Sequence, residues 1–220
     1  MPQELFTQTG TNVVDRVRGQ FGDTSGAQLA DAPILNWIND GQREIVNNNS
    51  ILKATKYTDL IANQQDYSFP NDKVFAIEAV YVSGYPILNI SPQAAREYVS
   101  ALDPTSLVKA EKPEVWYERA GIITFYPVPS STIVNGIKLE YVRTPEPLTS
   151  FTSVLSIPDR YFNELVNYVI SQALEMDENY SGAAYKLGQF REGLDRLNLK
   201  DTLSQTDLYT QLMPDPDDYL

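Results

Sequence analysis

Two apolar stripes near the C-terminal end restrict the possible folds of this chain more than any other feature. Phe162, Val166, Val169 and Ala173 recur at spacings of 4, 3 and 4, with Leu165 and Ile170 widening the stripe. Beyond the polar step Asp177-Glu178-Asn179, a second stripe runs through Ala183, Leu187, Phe190, Leu194 and Leu197 at spacings of 4, 3, 4 and 3. A period near 3.6 places each set on one face of a helix. Two such faces joined by so short a turn bury themselves against each other, which predicts an antiparallel helical hairpin over 151–199. Ser156-Ile157-Pro158-Asp159 ahead of it has the Ser-x-x-Asp form of an N-terminal cap, with proline suited to the first turn.

Helical spacing also marks the other end. Val13, Val14, Val17 and Phe21 share a face, and Gly22-Asp23-Thr24-Ser25-Gly26 stops that segment. A second helix is expected to open at Asp31 as N-cap, to present Ile34, Ile38, Gly41 and Ile45, and to end at Asn47-Asn48-Asn49-Ser50.

Between the helical ends the period falls to two. Val74, Ala76, Glu78, Val80 and Val82 alternate with Phe75, Ile77, Ala79 and Tyr81, the pattern of a strand. Segments 53–60 and 66–69 read as flanking strands, and Ser91-Pro92 opens a short helix. Glu114 to Arg119 and Ile122 to Tyr126 form a hairpin about Ala120-Gly121, and Ile137 to Arg143 is a last strand. The expected fold class is therefore α+β: N-terminal helices (1–50), an inserted small antiparallel β-module with one short helix (51–150), the helical hairpin (151–199), and an extended acidic C-terminal arm (200–220). In that arm Leu203, Leu208, Tyr209, Leu212, Tyr219 and Leu220 show no clear period, and Pro214 and Pro216 forbid a helix at its end. It reads either as a frayed terminus or as an arm that orders on a partner.

Composition removes most catalytic chemistry. The 220 residues include no cysteine and no histidine, which excludes disulfides, thiolate metal sites, cysteine nucleophiles and Ser-His-Asp triads. No phosphate-cradling glycine loop is present. Asp215-x-Asp217-Asp218 lacks the central glycine and closing glutamate of a calcium loop. Acidic pairs such as Asp177 with Glu178, or Glu111 with Glu114, are expected by chance among 29 Asp and Glu. The net charge of −12 opposes tight nonspecific binding of nucleic acid. The chain has no signal-like N-terminus and no apolar run of membrane-spanning length. No enzyme activity and no cofactor or metal are expected.

The order of elements also carries a resemblance. Glu114-Val115-Trp116-Tyr117, Gly121-Ile122-Ile123-Thr124-Phe125-Tyr126-Pro127-Val128-Pro129, the strand to Arg143, and the helix start Ile157-Pro158-Asp159-Arg160-Tyr161-Phe162-Asn163-Glu164-Leu165-Val166 together resemble the head-to-tail adaptor (connector) proteins of tailed bacteriophages, in the short-tailed version. The resemblance covers about residues 10–198 in element order. It implies a structural virion protein of the neck, assembled in the host cytoplasm. Such subunits form a ring, usually of twelve copies, below the portal protein. The ring joins the portal to a tail tube or nozzle protein, with tail fibres as a further partner, and double-stranded DNA passes through without specific binding.

On that footing the arm is expected to dock on the portal through Leu208, Tyr209, Leu212, Asp215, Asp217, Asp218, Tyr219 and Leu220. Arg16, Arg18, Arg43, Arg191 and Arg196 are the expected inter-subunit contacts, meeting acidic surfaces of neighbouring copies. Two other readings compete: a carbohydrate- or receptor-binding virion module using Trp37, Trp116 and the tyrosines, and a carboxylate-dependent hydrolase.

Overall fold

A computed structural model describes residues 5–23, 25–68, 74–95, 97 and 109–212, with side chains at all of these except 109, 110 and 200–212. The chain forms two compact units, one made of Met1–Ile51 with Pro145–Leu220 and the other of Leu52–Thr144.

In the first unit, helix α1 (Gly10–Phe21) buries Val13, Val14 and Val17. It stops at Gly22, whose φ of 67° is open to glycine at little cost, and the N–H groups of Gly22 and Asp23 close on the carbonyls of Gly19 and Arg18. Helix α2 (Asp31–Asn49) has its cap one residue earlier than expected. Ala30 is the N-cap, and the Asp31 carboxylate pairs with Arg18 at 2.6 Å instead of capping. The helix ends within the asparagine run as expected, with Asn49 its last residue and Ser50 its C-cap, and Asn48 Nδ2 donates to the Glu44 carbonyl at 2.7 Å.

A 3-10 turn at Asp159–Tyr161 leads into α3 (Phe162–Met176), and α4 (Tyr180–Leu212) follows. The cap expected at Ser156 does not form. The Ser156 N–H and hydroxyl go to Gln42 Oε1 and the Glu146 carbonyl, and Asp159 serves a distant segment. Glu164 of α3 lies against Gly193 of α4, and one turn later Tyr168 meets Phe190 with ring centroids 5.2 Å apart. Later positions on α3 thus meet earlier ones on α4, so the two run antiparallel. Gly41 of α2 lets that helix close on α3: a Cβ there would stand 2.6 Å from Leu165 Cδ1.

The C-terminal segment departs from expectation. Residues 201–212 continue α4 and are not extended. Asp201 to Leu212 contains neither proline nor glycine, and the next proline, Pro214, lies two residues beyond the last helical residue. Residues 213–220 lie outside the described residues.

The second unit stacks two sheets. One has strand order β1 (Lys53–Leu60), β10 (Ile133–Arg143), β3 (Val74–Val82), β4 (Tyr85–Pro86), and the other β2 (Asp66–Ser68), β8 (Ile122–Tyr126), β7 (Val115–Arg119), β5 (Leu88–Asn89). Leu60, Val80, Val82, Ile137 and Leu139 from the first sheet bury against Tyr67, Trp116, Ile123 and Phe125 from the second. Tyr67 and Phe125 pack edge-to-face at 5.3 Å. Ala120 and Gly121, with φ of 52° and 75°, make the tight turn between β7 and β8. Strand β10 starts at Ile133, four residues before the expected Ile137.

The module is not wholly antiparallel. β5 pairs with β7, and β6 (Lys109–Ala110) with β9 (Val128–Pro129), in parallel. A parallel pair needs a connection of a dozen or more residues. Residues 90–114 supply one, including the helical turn at 92–95 that Ser91 caps by accepting the Ala94 N–H at 3.1 Å.

Candidate interaction surfaces

The five arginines expected at subunit contacts occupy distinct settings. Arg18 is turned inward: its Nη2 donates to the Leu29 carbonyl at 3.0 Å and to Asp31 at 2.6 Å. It closes a loop whose centre is the buried Asp23, which accepts N–H bonds from Ala27, Gln28 and Leu29. Those bonds, led by Leu29, hold the Asp23 carboxyl below its usual range despite burial. Arg43 is exposed and pairs with Asp40 one turn earlier at 3.1 Å. Arg191 is exposed on α4.

The first turn of α3 engages the remaining two. Arg16 of α1 stacks over the Phe162 ring at 5.5 Å. Arg196 of α4 approaches Glu164 at 3.9 Å, too far for a hydrogen bond. No sequence motif marks Glu164 as a site residue. Its side chain is 10 % exposed, and its Oε2 has no hydrogen-bond partner. Burial pushes its carboxyl above the usual range, against the pull of its own backbone N–H and of Arg196. Gly193 makes the room for it, since a Cβ at that position would stand 2.7 Å from Glu164 Cγ.

Asp159 is a second residue whose role is invisible locally. Its carboxylate accepts the Thr7 N–H at 2.7 Å, the Gln8 N–H at 3.1 Å and the Thr7 hydroxyl, while its own N–H donates to the Leu5 carbonyl at 2.8 Å. Burial acts to raise its pKa, but the three bonds outweigh that and hold it low. The Pro158-Asp159 step thus anchors the N-terminal segment as well as starting a helix. A bridge between Thr9 and Val154 extends the contact.

Of the expected docking residues, Leu208, Tyr209 and Leu212 lie in the last turns of α4, and Asp215, Asp217, Asp218, Tyr219 and Leu220 fall outside the described residues. Counted along the helix, positions 208 and 212 continue the register of Leu187, Phe190, Leu194 and Leu197, because the step from 197 to 208 completes three turns at about 3.67 residues per turn.

Other exposed apolar side chains gather on the β unit. Tyr85 and Leu88 are 70 % and 67 % exposed, with Lys112 over the Tyr85 ring at 5.7 Å. Phe75, Ile122 and Tyr57 are exposed as well. A cleft of about 240 Å³ is lined by Val74, Phe75, Ala76, Ile77, Glu118, Ala120, Gly121 and Ile123. On the outer sheet face, Lys138 lies over Tyr81 and pairs with Glu140, which also accepts the Tyr81 hydroxyl at 3.1 Å. The bond between Lys138 and Glu140 lowers the carboxyl and raises the ammonium.

Among the described residues, no group of three or more acidic side chains is placed to hold a metal ion, and no helix is long and apolar enough to cross a membrane. The described surface exposes the aromatic side chains Tyr57, Phe75, Tyr85, Tyr180 and Tyr185. No curated protein matches the sequence. Residues 8–213, nearly the whole chain, match the family model described as SU10 adaptor protein, and the chain belongs to that family of phage adaptors, structural components of the virion.

Proposed function

We propose that this chain is a ring-forming, non-enzymatic adaptor of a short-tailed phage neck, seated below the portal and joining it to the tail tube or nozzle. The observation that carries this reading is the family match over 8–213. In the reading, twelve copies surround a channel through which double-stranded DNA moves, and the net charge of −12 keeps the duplex from adhering. The last turns of α4 with the acidic residues after them, from Leu208 to Leu220, dock on the portal. Arg16, Arg43, Arg191 and Arg196 meet acidic surfaces of neighbouring copies, while Arg18 is engaged with its own loop. A carbohydrate-binding module is less well supported, because Trp116 lies in the β core and Trp37 is half-buried on α2.

Quantitative peptide mass spectrometry on purified virions tests the reading. One copy per portal subunit is expected. A ratio several-fold away would point to a fibre or receptor module, and absence from the particle would overturn the adaptor role. Removing residues 208–220 is expected to abolish portal binding, and unchanged binding would refute the docking assignment.

A further inference from the structure

Glu164 sits in the first turn of α3 with a side chain only 10 % exposed, and its Oε2 is buried without a hydrogen-bond partner. A carboxylate held away from water in this way is costly unless a cation or a donor reaches it. Gly193 of α4 supplies the space, since a Cβ there would stand 2.7 Å from Glu164 Cγ and 2.8 Å from Oε1. Arg196, three residues on, has its Nη2 3.9 Å from Oε1, and its side chain is 76 % exposed. The other charged groups of the packed elements are turned elsewhere. Arg16 of α1 stacks over Phe162, Arg160 lies over Tyr161, and Asp159 is held by Thr7 and Gln8. From α2 comes the neutral Asn49, whose Nδ2 donates to the Leu194 carbonyl at 3.2 Å. Asp40 and Glu44 of α2, with Glu175 of α3, act on Tyr168 instead. Arg191, Glu192 and Asp195 of α4 are exposed to solvent. Among the described residues, Arg196 is the charged side chain that acts on the Glu164 carboxyl.

We infer that Glu164, Gly193 and Arg196 form a proton-gated latch between α3 and α4. Protonated, the carboxyl leaves the Arg196 guanidinium in solvent; ionised, it draws the guanidinium in to close a charge-assisted hydrogen bond. The movement needed is small, from 3.9 Å to the ~2.8 Å typical of such bonds. An exposed arginine makes it without disturbing the core, and the notch at Gly193 keeps Oε1 in reach. Burial holds the carboxyl above its usual range, so the latch changes state at a higher pH than that at which an exposed glutamate ionises. The latch is complete within one copy and needs no ring. It bears on the contact with neighbouring copies proposed above for Arg196, and only that consequence rests on the ring reading. With the latch closed the guanidinium is engaged within its own copy, as that of Arg18 is with Asp31. An acidic surface of a neighbour then gains Arg196 only by leaving a buried carboxylate without its cation. The state in which Arg196 reaches outward therefore binds the proton on Glu164 more tightly, and a contact through Arg196 weakens as pH rises through the titration of Glu164.

Nuclear magnetic resonance of the full chain across a pH series tests the latch. The Glu164 carboxyl carbon is identified by its loss in Glu164→Gln, and the Arg196 Nε–H by its loss in Arg196→Gln. As the carboxyl ionises, the Arg196 Nε–H is expected to exchange with solvent more slowly than that of the exposed Arg191, with the same midpoint as the carboxyl. Arg196→Gln is expected to move the carboxyl midpoint to higher pH. A carboxyl that titrates while the Arg196 Nε–H keeps pace with that of Arg191 would overturn the latch, as would an unchanged midpoint in Arg196→Gln. Arg196 is exposed, so its replacement leaves the fold in place. Stability gives a second measurement. In urea titrations, the losses from Glu164→Gln and Arg196→Gln are expected to be non-additive above the carboxyl midpoint and additive below it. Additivity on both sides would overturn the latch. The ring contact is judged separately, by copies of Arg196→Gln per virion: wild-type incorporation would refute the contact assigned to Arg196, and only the resonance and urea measurements decide the latch.

Discussion

Replacing Gly41 with alanine separates two effects of opposite sign. In an open helix interior, glycine to alanine stabilises by about 0.8–1.0 kcal/mol through backbone entropy alone. At Gly41 the new methyl would lie 2.6 Å from Leu165 Cδ1 and 2.8 Å from Tyr168 Cδ1. Carbon atoms pack best at about 3.5–4.0 Å, so α2 and α3 would have to part by about 1 Å. Leu165 is fully buried and has nowhere to yield. Overpacking of this kind costs about 1–3 kcal/mol, which exceeds the propensity gain and leaves a net loss of about 1 kcal/mol. Gly188 is the control, because it lies within α4 and a Cβ there meets nothing within 4 Å. Gly188→Ala should gain about 0.5–1 kcal/mol. Urea titration followed by far-ultraviolet circular dichroism reads both, and thermal midpoints should move in opposite directions by about 2–4 °C per kcal/mol. A Gly41→Ala protein as stable as Gly188→Ala would refute the close packing of α2 on α3.

Glu164 gives a pH dependence of definite sign. Its folded-state pKa is raised, so the folded protein binds more protons than the unfolded one above the ordinary glutamate range, and its contribution to stability falls as pH rises through that window. Glu164→Gln should flatten this slope and be increasingly more stable than wild type as pH rises from about 4 toward neutrality, which urea titrations at a series of pH values would check. Asp159 behaves oppositely: its lowered pKa means its stabilisation is present above the ordinary aspartate range and is lost as pH falls through the folded value. Asp159→Asn should free the N-terminal segment, seen as faster hydrogen exchange at the Thr7 and Gln8 amides with the α3 core unchanged. Tyr67→Phe removes the hydroxyl that accepts the Ile61 N–H at 2.8 Å, and should cost about 1 kcal/mol in the β unit.

What is legible in the sequence is what short-range physics decides. Gly22 ends α1 because it reaches φ of 67°, Ala120-Gly121 turns the β7–β8 hairpin, and Ser91 caps the helical turn at 92–95. The α3 residues Phe162, Leu165, Val166, Val169, Ile170 and Ala173, picked out by spacing, are all buried. The departures share a different cause. Asp31 and the Ser156–Asp159 step have the chemistry of helix caps, but Arg18 takes the first, and Asp159 is taken by Thr7 and Gln8, about 150 residues away in sequence. A cap motif states what a side chain is able to bind, and only the tertiary fold decides what it does bind. The helix through 201–212 escapes a reading that weighs the scattered leucines without the absence of any breaker before Pro214. Glu164 leaves no mark in a single sequence, since burial is a property of the assembled unit.

The adaptor role is tested most directly by cryo-electron microscopy of the neck in particles assembled with and without this chain. The account predicts a ring of density directly below the portal in complete particles. It also predicts that the ring and everything tailward of it are lost when the chain is withheld. Particles that keep an intact portal-to-tail junction without the chain would contradict it.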